Sequence, residues 1–352
     1  MMINRVARPT SWVSTLALLV GSQALAPGQG TVPDNRPPAA RPLGTIERYD
    51  PRFDKLVPPA ATMEILGEGY DWSEGPAWNR ADASLVFSDI PPNVVMRWKD
   101  GEGPPKPFLK PSGYTGTTAR GGEPGSNGLL FDREGRLILC QHGDRRIARL
   151  EADGTFGTIA ATFDGKRFNS PNDAAFRSDG SLYFTDPSYG LEGGNRSPLK
   201  ELPYNGVFRV SPAGAVTLLT KEITFPNGIA FSPDERTLYV ANSDGGNPVI
   251  RAFAVAGDGT IDAGRVFFDA TGGVKGRKGG FDGMKVDRDG NLFATGPGGV
   301  LVIAPDATLL GVLATGQATA NVAFGGSDGS TLFITADMFL ARLRTTTHGK
   351  GF

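Results

Sequence analysis

The sequence predicts an all-β protein, a six-bladed β-propeller, on three observations. One short unit recurs six times along the chain. Each copy reads as alternating apolar strands separated by Asp-Gly or Glu-Gly turns, the pattern of hairpin-linked strands. Glycine (49) and proline (27) together are 76 of 352 residues, about 22% where about 12% is usual, and such punctuation leaves little room for long helices.

Taken in order, residues 1–26 read as a secretory signal peptide. Arg5 and Arg8 precede an apolar run over 12–20, and Ala24-Leu25-Ala26 has the small-x-small form that signal peptidase reads. The run is far shorter than the roughly 20 residues a spanning helix needs. A periplasmic or secreted protein is therefore expected, with no membrane association once the signal is cut. Residues 27–44, rich in Pro, Gly and Ala, have almost nothing to bury and read as a disordered linker. The propeller is expected over 45–352.

Its clearest units are Asn127-Gly-Leu-Leu-Phe-Asp-Arg-Glu-Gly-Arg-Leu137, Asn172-Asp-Ala-Ala-Phe-Arg-Ser-Asp-Gly-Ser-Leu182 and Asp282-Gly-Met-Lys-Val-Asp-Arg-Asp-Gly-Asn-Leu292. Each starts with a polar head residue, places a large apolar residue four positions on, and a Leu ten positions on. Glu74-Gly-Pro-Ala-Trp78 leading to Leu85, and Asn227-Gly-Ile-Ala-Phe231 leading to Leu238, repeat this with one residue inserted. The sixth copy, Val322-Ala-Phe324 leading to Leu332, has Ala320 in the head register and Asn321 beside it. Third strands follow, as in Val94-Val-Met-Arg-Trp98 and Val207-Phe-Arg-Val210. Three or four short antiparallel strands per repeat make a propeller blade. The ring must close or leave strand edges unpaired, and Ala61-Thr-Met-Glu-Ile-Leu66 is placed to supply the outer strand of the last blade.

Lys and Arg (36) balance Asp and Glu (37) for a net charge of −1, which argues against a nucleic-acid surface. One cysteine, Cys140, and two histidines, His142 and His348, exclude disulfides, Cys clusters and three-His metal sites. A metal must then be held mainly by oxygen, which favours a hard divalent cation, calcium before Mg, Mn or Zn.

The first residue of a blade's innermost strand sits near the axis, so equivalent residues of different blades converge. Glu74, Asn127, Asn172, Asn227 and Asp282 are all oxygen donors at that register. Asn-Gly and Asp-Gly are also common hairpin turns. Each unit nevertheless has its turn elsewhere, at Glu134-Gly135, Asp179-Gly180 or Asp289-Gly290, and the head residues remain unexplained by turn chemistry.

The motifs Ser73-Glu-Gly-Pro-Ala-Trp78, Ser126-Asn-Gly128, Ser170-Pro-Asn-Asp173, Phe184-Thr-Asp-Pro187, Phe225-Pro-Asn-Gly228 and Phe281-Asp-Gly-Met284 together resemble those of the senescence-marker-protein/gluconolactonase/luciferin-regenerating-enzyme family, over about residues 64–344. The resemblance implies one divalent cation at the channel and hydrolysis of lactones, commonly sugar lactones. By motif it implies Glu74, Asn172, Asn227 and Asp282 as metal ligands, and Asp282 also as general base or nucleophile. Asn127, His142, Asn172 and Tyr189 are the candidates for touching substrate. His142 ends a strand before a polar loop, and Tyr189 follows the Asp186-Pro187 strand end.

Gly325-Gly-Ser-Asp-Gly329 fits the formal esterase pattern, but that serine needs a strand-to-helix elbow and here it falls in a blade hairpin. Cys140 is expected to pack as a small buried hydrophobe. The functional expectation is a metal-dependent lactonase acting on a small-molecule lactone. An organophosphate or aryl-ester hydrolase on the same site, and a non-catalytic propeller with a structural ion, are the alternatives.

Overall fold

The computed structural model describes residues 41–273 and 276–352. The segment expected to be a signal peptide, residues 1–26, and most of the expected linker, residues 27–40, lie outside the described residues. Twenty-four strands form six four-stranded antiparallel blades, and a further strand joins one of them. Blade 1 runs from its innermost strand Ser73–Asn79 through Ser84–Asp89 and Val94–Lys99 to its outermost, Lys106–Leu109. The innermost strands of blades 2 to 6 are Ser126–Phe131, Ala174–Phe176, Pro226–Phe231, Met284–Val286 and Thr319–Gly325. Each of the six contacts the next and the last contacts the first, so the ring closes.

Closure uses the segment the sequence indicated, displaced slightly along the chain. Glu64–Glu68 pairs antiparallel with Phe339–Arg344 and completes blade 6. Thr45–Arg48 adds an unforeseen fifth strand to blade 5, pairing with Leu309–Ala314. Residues 41–44, read as the end of a disordered linker, are ordered for the same reason. Leu43 is buried, its amide donates to Met63 O at 2.8 Å, and Pro42 bridges to Glu64.

The apolar core is divided among the interfaces between blades. Val86 and Val95 meet Leu129 and Leu139 between blades 1 and 2, and Cys140 and Ile147 meet Phe184 and Phe208 between blades 2 and 3. Phe333 of blade 6 packs against Leu85 and Phe87 of blade 1 across the closure. Burying a side chain of this size contributes roughly 1.5–3 kcal/mol. Adhesion of the blades therefore depends on these apolar contacts, and the polar strand starts are free to serve the axis. Cys140 is fully buried, as expected. Ser327 sits in the hairpin between Thr319–Gly325 and Thr331–Ala336, which removes the esterase reading.

Candidate active site

All five head residues line one cavity of about 250 Å³ at one end of the axis. Glu74, Asn127 and Asn227 sit at β-bulges, where the ladder is broken and the side chain is re-aimed, and Asn172 and Asp282 stand two residues before their innermost strands. The glycine that follows a head residue has a packing reason. A Cβ on Gly75 would come within 2.0 Å of Asn127 O, and one on Gly283 would strike the Asn321 side chain at 1.9 Å. The backbones of neighbouring blades meet there directly: Gly128 N donates to Asn172 O at 2.7 Å and Gly228 N to Asp282 O at 3.0 Å. Second-strand hydroxyls tie the carbonyls of two other head residues, with Ser88 Oγ donating to Asn127 O and Thr185 Oγ1 to Asn227 O, both at 2.8 Å.

Fixed in this way, the side chains present oxygens that the protein does not satisfy. The Oδ1 atoms of Asn127, Asn172 and Asn227 are buried without a hydrogen-bond partner among the described residues. An unmet buried acceptor costs about 1–3 kcal/mol, and three at one register indicate an electropositive ligand. Two carboxyls stand with them. Glu74 is buried; its Oε2 accepts from Gly75 N at 2.6 Å and Asn321 Nδ2 at 3.2 Å. Burial, and then the nearby negative charge of Asp173 and Glu123, push its pKa up to about 7 against the opposing pull of those two hydrogen bonds. Asp282 is half-buried and open to the cavity. Desolvation and then the charge of Glu74 raise its pKa well above the usual carboxylate value.

Three amide oxygens and two carboxylates fit a hard divalent cation, which takes oxygen ligands and would relieve the like-charge repulsion. Among the described residues no group of three or more His, Cys, Asp or Glu side chains is placed to hold a metal.

Tyr189 lines the cavity and stacks on Phe225, with centroids 5.6 Å apart at 18°. Trp72 and Phe281 complete the aromatic wall, and Ser243 and Thr319 add hydroxyls. His142, expected as a substrate contact, is fully buried and is not among the residues that line the cavity. Its Nδ1 lies 2.8 Å from Oε2 of Glu123, which does line the cavity. Burial raises the Glu123 carboxyl, but the hydrogen bond and charge of His142 outweigh it and the net shift is downward.

Repeat logic did not single out Glu123, which lies in the connection between blades 1 and 2 and has no counterpart in other units. The available signal was an acidic residue in Gly121-Gly-Glu-Pro-Gly125 just ahead of a head strand. Asn321 lies beside the head register in the sequence, which assigns it no role. The structure makes it the hydrogen-bond donor that fixes Glu74 across the ring closure.

The sequence profile of the SMP-30/Gluconolactonase/LRE-like region matches residues 72–337. The chain belongs to this family. It is 39% identical over 319 residues to the gluconolactonase of Zymomonas mobilis subsp. mobilis, covering 87% of this chain and 88% of that one. The solved gluconolactonase of Xanthomonas campestris superposes with a TM-score of 0.75 at 33% identity, covering 88% of this chain and 99% of the other. Regucalcin of Agrobacterium tumefaciens, a calcium-binding protein, shares the fold at a TM-score of 0.63 and 19% identity, covering 82% of this chain and 94% of its own.

Proposed function

We propose that this lactonase opens a sugar lactone of the gluconolactone type to its aldonic acid, with one divalent cation, calcium foremost, held by Glu74, Asn172, Asn227 and Asp282. The observation that carries the reading is the set of three orphaned amide oxygens beside two mutually repelling carboxyls. When bound, such an ion supplies Lewis-acid polarisation of a carbonyl.

The two carboxyls have different work. Glu74 is buried and held by two donors, and so serves as a fixed ligand. Asp282 opens on the cavity and is the group placed to take a proton from the attacking water. As the water oxygen bonds to the lactone carbonyl carbon, its proton passes to Asp282. When the ring C–O bond breaks, that proton returns to the departing alkoxide, leaving the open hydroxy acid. Tyr189 and Trp72 supply apolar faces for the ring carbons, and Asn127 adds an amide beside the ligand set.

A pH-stat assay of D-glucono-1,5-lactone on metal-stripped and calcium-reconstituted protein tests the reading. Acid release by the reconstituted protein alone is expected, and full activity in stripped protein would refute the metal role. Export to the periplasm or beyond is proposed from the Arg-flanked apolar run and Ala24-Leu25-Ala26. N-terminal sequencing of the cell-fractionated protein should find a start between Ala24 and Thr31, and an intact Met1 on cytosolic protein would overturn it.

A further inference from the structure

We propose that Glu123 binds the ring hydroxyls of a polyhydroxylated lactone, and that His142 is the positioning residue that aims its carboxylate at them. The proposal deepens the lactonase reading and rests on it for the substrate class. Glu123 is the cavity carboxylate that does not belong to the head register, so its place in the site is independent of the cation cluster. Its charge reaches Glu74, Asp282 and Tyr189, which places it within range of whatever occupies the cavity.

A carboxylate is an acceptor only, and hydroxyls donate to it; charge-assisted hydrogen bonds of this type are roughly twice as strong as neutral ones. One oxygen of Glu123 is engaged by His142 Nδ1, and the side chain, which lines the cavity, remains 38% exposed while the imidazole is at 0%. Since the carboxylate accepts, the imidazole must donate through Nδ1. Its Nε2 is then buried with no partner among the described residues. An imidazole that neither touches the cavity nor bonds elsewhere has one evident polar task, which is to hold Glu123.

The surroundings are built for a fixed geometry. Arg120 straps the loop that carries Glu123, donating through Nη2 to Gly190 O at 2.6 Å and through Nη1 to Gly143 O. His142 N donates to Gly125 O at 3.2 Å, which closes the loop beside the same residue. A Cβ on Gly190 would come within 2.6 Å of His142 Cβ, so the imidazole is seated by a position that accepts no side chain. Preorganisation of this kind is what a group that recognises hydroxyls needs, because little side-chain freedom is then lost on binding.

Two measurements in the presence of calcium test the proposal. Binding of 1,5-anhydro-D-glucitol, which has ring hydroxyls and no carbonyl, is followed by titration calorimetry. Hydrolysis is compared between D-glucono-1,5-lactone and δ-valerolactone, whose ring is unsubstituted. For Glu123→Gln we expect the polyol Kd and the gluconolactone KM to rise by about 10- to 100-fold, the range for a lost hydrogen bond to a charged group. The ratio of kcat/KM for gluconolactone over δ-valerolactone should fall by a similar factor. His142→Ala should move the same quantities in the same direction by a smaller factor, and His142→Asn, which keeps an amide donor, should recover part of the loss. Melting temperatures of all variants identify any that fail to fold, and Glu123→Gln, on the cavity wall, tests the binding role by itself. Equal losses on both lactones, weaker calcium binding with the substrate ratio unchanged, or polyol binding that is absent or the same in both proteins would overturn it. Should the wild type open neither lactone, the functional reading fails while the polyol titration still decides this proposal.

Discussion

Two carboxylate environments share one cavity, and they are opposites. On the channel ring, Glu74 and Asp282 crowd each other away from water, and both are pushed toward the protonated state. On the wall, Glu123 is paired with an imidazole and pushed the other way. Environments that drive pKa values apart assign roles. The ring pair is unstable as two bare anions and calls for a cation, whereas Glu123 is already compensated and has an oxygen to offer a neutral ligand. On the proposed reading, chemistry and recognition are separated within a few side chains.

Removing the cation should give the largest effect. Chelation is expected to reduce lactone hydrolysis to background with the circular dichroism spectrum retained, because apolar interblade contacts hold the fold. Loss of the β-sheet signal on chelation would mean that the ring is structural instead. Asp282→Asn should come next. It keeps an oxygen donor but loses the proton acceptor, so kcat should drop by about 10²-fold or more at saturating metal. Asn227→Asp, which adds charge at the same register, should still bind metal, perturbing the ligand set without removing the base. A rate rescued by metal in Asp282→Asn would move the base to another group.

A smaller effect is expected from Asn321→Ala, which frees Glu74 from its cross-closure donor. Metal affinity should weaken by roughly 10-fold, the worth of one hydrogen bond to a charged group, with kcat at saturating metal nearly unchanged. Calorimetric titration with calcium reads this, and an unaltered Kd would dismiss Asn321 as a positioning residue.

The smallest effect is in pH. Glu74 has its folded pKa raised to about 7, as does the buried Asp186, so the folded metal-free protein binds more protons than the unfolded chain between about pH 4 and 7. Stability should therefore fall as pH rises through that window, lowering the melting temperature by a few degrees from pH 5 to pH 8. Calcium added at pH 8 should restore it by mass action. Glu123, with its depressed pKa, contributes in the opposite sense, and its contribution is lost only as pH falls below the ordinary carboxylate range. A flat profile in chelated protein would contradict the assignment of the ring pair.

Much of this was legible in the chain because a propeller is a local pattern written repeatedly. The four-residue spacing from head to aromatic or aliphatic residue sets each innermost strand, and five head residues at one register imply convergence before any contact is known. Asn127, Asn172, Asn227, Glu74 and Asp282 do meet in one cavity. Residues without a repeat counterpart were harder to place. The strand Thr45–Arg48 is only four residues long, and nothing local indicates that it joins blade 5. His142 looked like a residue of the cavity wall because it ends a strand beside a polar loop, yet the connection before blade 2 folds over it and puts Glu123 in its place.

The sequence by itself determined the number of blades and the oxygen-rich register at the axis, since both depend on a unit repeated about every fifty residues, and the need to pair the last blade's edge pointed to the segment near residue 65. Tertiary structure alone decided how those oxygens are charged and supported. Asn321 reaches Glu74 across 247 positions of chain, and the like charges that raise Asp282 arrive from blades 1 and 3 and from the loop between blades 1 and 2. Burial, repulsion and hydrogen bonding depend on distance in space, and in a closed ring the nearest neighbours at the axis are among the most distant in sequence.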